Sequence, residues 1–137
     1  KLIAVSTLLA LANNSCSEKL KVPMIDARGN RVYGAVYDKD FNEVIKEDLY
    51  TIDVFSKLVN GLDDEVELIG EISNKYEDLF VNRRTLPISF NNCIGKSLIK
   101  VGLENLDQSY NLYELSPNYL RKSQAERELL NDKKNAN

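Results

Sequence analysis

The chain of 137 residues contains no histidine and no tryptophan, only two cysteines, one methionine and three prolines. Without histidine there is no Ser-His-Asp type triad, no imidazole metal ligand and no ordinary switch between pH 5 and 8. Two cysteines, Cys16 and Cys93, allow a single intramolecular pairing and no cysteine-rich zinc or disulfide framework. In an oxidising compartment that bridge would close most of the chain, whereas in a reducing one both would be free thiols. A basic surplus is also missing: 18 Lys and Arg face 21 Asp and Glu, a net charge of -3. This excludes the electrostatic footprint of a dedicated nucleic-acid binder. A residue content that is 43% hydrophobic and 28% charged suits one folded domain.

Residues 1–12 combine Lys1, an apolar run from Leu2 to Leu9 and an Ala10-Leu11-Ala12 step, which is similar to the end of a secretory signal peptide. The run is shorter than the ~20 residues that span a bilayer. Cys16 follows closely, so membrane contact is expected only if that cysteine carries a lipid. The other reading is a buried N-terminal helix. The two readings lead to different settings: exported or envelope-associated for the first, cytoplasmic or within a larger particle for the second. The expected organisation is an N-terminal segment and linker over 1–18, a single α+β domain over 19–116, and a C-terminal helix and tail over 117–137.

Alternation of apolar and polar residues predicts strands over 19–25 and 31–37, joined across Asp26-Ala27-Arg28-Gly29-Asn30 as a hairpin. A three-to-four spacing of Ile45, Leu49, Ile52, Phe55 and Val59 predicts a helix over 42–59, despite the β-branched Thr51, Ile52 and Val54. Val66, Ile69, Ile72, Tyr76, Leu79 and Phe80 predict a second helix, with Asp63 as N-cap. The short link between them makes a helical hairpin. Further strands are expected around Leu86 to Phe90, Leu98 to Leu103 and Tyr110 to Leu115. Ser116-Pro117 has the form of an N-cap and first helical residue, opening a final helix. The expected fold is therefore α+β, an antiparallel sheet with a helical hairpin and a C-terminal helix; an all-β sandwich is the alternative.

Few motifs carry chemistry. Gly95-Lys96-Ser97 follows an expected strand as in a phosphate-binding loop, but Phe90 stands where the first glycine belongs. Asp38-Lys39-Asp40-Phe41-Asn42 matches the opening of a calcium loop, yet Glu43 and Leu49 replace the required glycine and glutamate. Asp63-Asp64-Glu65 with Glu67 suits a helix start without any ligand. These residues supply no catalytic, cofactor or metal site, and the expectation is a non-enzymatic protein-binding or assembly subunit. Its alternative is a small nucleotide-binding or hydrolytic protein using Gly95, Lys96 and Ser97. The final helix has good capping but few apolar residues, so a partner protein is expected there, with Tyr113, Tyr119, Leu120, Leu129 and Leu130 as anchors and Arg121 and Arg127 at the rim.

Overall fold

In the computed structural model the residues described are 2–90, 95–108, 110, 111, 113, 115–117, 120 and 126. The elements run α1 (Thr7–Ala12), β1 (Leu20–Asp26), β2 (Arg31–Tyr37), β3 (Glu43–Thr51), α2 (Ile52–Asn60), β4 (Val66–Ile69), α3 (Ser73–Tyr76), β5 (Arg83–Thr85) and α4 (Gly95–Glu104), with short 3-10 turns at Glu77–Leu79, Ile88–Phe90 and Leu106–Gln108. Five strands form one sheet in the order β3-β2-β1-β4-β5. The α+β class stands, but the sheet is mixed. β1 pairs antiparallel with β2 and β2 with β3, while β1–β4 and β4–β5 are parallel.

The expected hairpin is present. Arg28, Gly29 and Asn30 all take positive φ at its tip, a run that glycine and asparagine tolerate best. The helical hairpin is not present. Its first half is strand β3 as far as Thr51, and only Ile52–Asn60 is helical. Ile45 and Leu49 are four apart, a separation that places side chains on one side of a strand as well as of a helix. Pairing with β2 decides between the two, and the charges Glu43, Lys46, Glu47 and Asp48 suit the strand's position at the sheet edge. From Ile52 the three-to-four spacing does hold, burying Ile52, Phe55, Ser56 and Val59.

The predicted second helix is instead strand β4, a break at Gly70 and the single turn of α3. All four β4 residues are buried, and a strand covered on both faces loses the alternation by which it is recognised. Asp63 is not an N-cap but takes a φ of 55° in the preceding turn. Arg83–Thr85, rather than Leu86 to Phe90, supplies the edge strand, and the stretch expected as a strand around Ile99 is helix α4. Tyr110 makes only an isolated bridge with Leu2. The C-terminal helix expected beyond Ser116 falls mostly outside the described residues.

Two apolar layers flank the sheet. On one face Val22, Met24, Val32, Val36, Val66 and Leu68 meet Phe55 and Val59 of α2, with Tyr76 and Phe80 completing the layer. On the other face Leu8 and Ala12 of α1 pack with Ala35 and Tyr37, and Leu11 with Ile69 and Leu86. Residues 7–12 are therefore a helix of the domain core. Ser6 caps it by accepting from the Leu9 N–H at 3.3 Å.

Beneath α1 the sheet carries charge. Lys21 and Glu67, register partners on β1 and β4, are each 1% exposed. The Lys21 ammonium donates to the Ser17 carbonyl at 2.7 Å and lies 4.9 Å from the Phe41 ring centroid. Burial lowers its pKa, against the pull of Glu67, Glu18 and Asp38. Glu67 in turn accepts from the Ser15 hydroxyl and faces the Arg84 guanidinium at 3.9 Å. Each buried ion has hydrogen-bonding partners, as charge in an interior requires.

Candidate protein-binding surface

Helix α4 is anchored by one narrow side. The buried Ser97 hydroxyl donates to the Asn14 side-chain carbonyl at 2.7 Å, and Asn14 donates through its amide to the Phe90 carbonyl at 2.8 Å. Val101, 3% exposed, is the helix's other buried residue. At the end of α4 the Asn105 amide donates to the Val101 carbonyl at 2.7 Å.

The opposite side is apolar and bare. Ile99 is 64% and Leu103 61% exposed, four residues apart on one helical face, and Leu106 in the following turn is 46% exposed. Leu98 adds to this surface, and Tyr110 and Tyr113 lie exposed further along the chain. Tyr110 is held by donating its N–H to the Leu2 carbonyl at 2.8 Å. Large apolar side chains gathered this way are more informative than the scattered ones of an ordinary surface.

Among the residues expected as protein anchors, Tyr113 is exposed and Leu120 half-buried, whereas Tyr119, Arg121, Arg127, Leu129 and Leu130 lie outside the described residues. The signal overlooked was Ile99-Leu103-Leu106. Alternation of Ile99, Val101 and Leu103 favoured a strand, although Ile99 and Leu103 also satisfy the helical spacing. Cys16 is an exposed free thiol, and Cys93 lies outside the described residues.

The other motifs serve the fold. Gly95, Lys96 and Ser97 open a helix, but the serine hydroxyl is directed to Asn14 rather than outward. Asp38 accepts from the backbone N–H groups of Asp40 and Asn42, both at 2.9 Å, and from the Asn42 amide, which holds its carboxyl below the usual range. Arg83 pairs with Asp78 at 2.8 Å, and Glu65 with Lys19.

Open sheets bind ligands beyond the carboxyl ends of their strands, where the strand order reverses, which points here to the ends of β1 and β4. Asp26 there accepts from the Arg28 N–H at 2.9 Å to shape the hairpin turn, and Gly70 packs on the Met24 carbonyl. Among the described residues no three His, Cys, Asp or Glu side chains are grouped so as to hold a metal ion, and no helix is long and apolar enough to cross a membrane. No protein-family model matches the chain, and no curated protein matches it either.

Proposed function

We propose that this chain is a non-enzymatic protein-binding or assembly subunit that meets its partner through the outer side of α4 and the segment leading on to Tyr113. The observation that carries the reading is the exposure of Ile99, Leu103 and Leu106 on an element whose opposite side is fixed to the domain by Ser97 and Val101. Each such side chain gains about 1.5–3 kcal/mol when fully buried by a partner. Net acidity supports a protein partner over a nucleic acid. The packing of Leu8, Leu11 and Ala12 supports reading residues 7–12 as a structural helix. An exported or envelope-associated setting enters the proposal only through Cys16, whose exposed thiol a lipid could reach.

The test is substitution of the outward residues alone. Leu103→Asp and Ile99→Asp should leave thermal stability within about 0.5 kcal/mol of the parent, as surface changes do, and should abolish association with the partner in cross-linking of native extract. Unchanged association in both variants would reject this surface.

A further inference from the structure

We infer that β3 is a closed edge of the sheet: the carboxylates of Glu43 and Asp48 occupy outward N–H groups through which a strand of a second copy would add. The inference is independent of the α4 surface and starts from the register of β3 on β2. The Ile52 N–H donates to the Asn30 carbonyl at 2.8 Å, and the register runs back from there through Tyr50 with Val32 and Asp48 with Gly34. In an antiparallel ladder, hydrogen-bonded pairs alternate with pairs whose backbone groups point away from the partner strand. Leu49 and Thr51 therefore turn their N–H and C=O groups outward, and Glu47 is next in that series. Among the described residues β3 has no strand on its outer side. An edge left open in this way is a template for pairing with another chain.

Two extra residues in β3 make the closure possible. Three steps along β2, from Gly34 to Tyr37, are matched by five along β3, from Asp48 back to Glu43. The surplus bulges bend and shorten the strand. On a flat strand the Cα atoms of Glu43 and Glu47 would lie about 13 Å apart, beyond the reach of a glutamate side chain. Here the Glu47 N–H donates to Glu43 Oε1 at 3.2 Å, and the Leu49 N–H donates to Asp48 Oδ1 at 2.7 Å. The carboxylate of Glu47 takes no part, being turned to the hydroxyls of Ser6 and Tyr37 on the face of the sheet. Glu43 and Asp48 are exposed, and among the described residues neither forms an ion pair. An incoming strand would have to displace both carboxylates, because its carbonyl oxygens would otherwise face theirs.

Sedimentation equilibrium of the full chain carrying Glu43→Ala with Asp48→Ala should show self-association about 10-fold or more tighter than the parent's, because a two-fold pairing of β3 with itself regains each freed N–H twice. Glu43→Gln with Asp48→Asn removes the same charge but keeps an oxygen at each N–H, and should behave as the parent. Amide hydrogen exchange locates the contact. At Glu47 and Leu49 it should slow with rising protein concentration in the alanine variant and be independent of concentration in the parent. Leu103→Asp added to the alanine variant should leave the association in place, which separates it from any contact through α4. The single variants Glu43→Ala and Asp48→Ala free one donor each and should fall between the parent and the double variant. They carry the same test should the double variant lose the parent's circular dichroism. Alanine variants that associate no more than the parent, an amide variant that associates as strongly as the alanine one, loss of the association with Leu103→Asp, or association that leaves exchange at Glu47 and Leu49 unchanged would each overturn the inference.

Discussion

Replacing Gly70 by alanine tests the junction between the two halves of the sheet. Gly70 follows β4 with φ at +126°, and a Cβ placed there would lie 2.0 Å from the Met24 carbonyl oxygen and 3.3 Å from the Met24 nitrogen. The backbone conformation alone costs a non-glycine residue about 1–3 kcal/mol. The oxygen belongs to the backbone of β1 and has no rotamer through which to withdraw. Relief requires moving the end of β4 by roughly 1 Å, which weakens one or two ladder hydrogen bonds worth about 0.5–1.5 kcal/mol each. Gly70→Ala is therefore expected to cost about 3–5 kcal/mol, a large part of the 5–15 kcal/mol typical of a domain. Gly34→Ala is the control. Its Cβ would meet the Phe55 ring at 2.7 Å, but its φ is ordinary and a ring can shift, so about 1–3 kcal/mol is expected. Urea unfolding followed by circular dichroism measures both. A loss below about 1 kcal/mol in Gly70→Ala, or a larger loss in Gly34→Ala, would refute the assignment of Gly70 as the rigid contact.

Phe55→Ala, which empties the space between Tyr50 and Phe80, should cost about 3–5 kcal/mol in the same assay. Glu67→Ala should cost about 1–3 kcal/mol because the buried Ser15 hydroxyl loses its acceptor and Lys21 loses the largest of the carboxylate attractions acting on it, Glu18 and Asp38 remaining, whereas Lys21→Met with Glu67→Leu should cost less than the two single changes summed. Burial, then Glu47 and Glu43, raise the Tyr37 pKa well above 10.0, so its stabilising contribution is complete below pH ~10 and is lost as pH rises above that value. The 295 nm titration before unfolding should be the same in the parent and in Tyr37→Phe, a comparison in which the raised Tyr50 cancels, and Tyr37→Phe should flatten the alkaline fall in stability. Lys21, whose burial penalty is relieved at high pH, acts with the opposite sign but is common to both proteins and cancels in that comparison.

The legible parts of the sequence were those in which local chemistry and tertiary position agree. Val32, Gly34 and Val36 alternate with Tyr33, Ala35 and Tyr37 because β2 has a different layer on each face, and glycine and asparagine mark its turn. β4 was illegible for the opposite reason. Glu67 has the look of a helix's wet side, and nothing nearby in sequence announces Ser15, Lys21 and Arg84, the groups that make its burial tolerable. The surface of α4 was hidden because apolar residues stand on its outer side, Ile99 and Leu103, as well as on its buried side, Val101, so the helix does not show the single apolar face by which helices are recognised. The weak anchoring expected of the C-terminal region concerns residues that lie mostly outside those described.

The place of β4 also orders the events of folding. β1, β2 and β3 follow one another along the chain and join through short turns, so this meander is assembled from local contacts. β4 must then reach across the length of the meander to set Glu67 beside Lys21, and β5 can add its parallel edge only after β4 is in place. Loop closure delays such pairings, and they form after the local ones. β4 and β5 are accordingly expected to be absent from the rate-limiting transition state. Damage at Gly70 would then appear as faster unfolding with a nearly unchanged refolding rate. The domain would lose its lifetime before it lost its ability to fold.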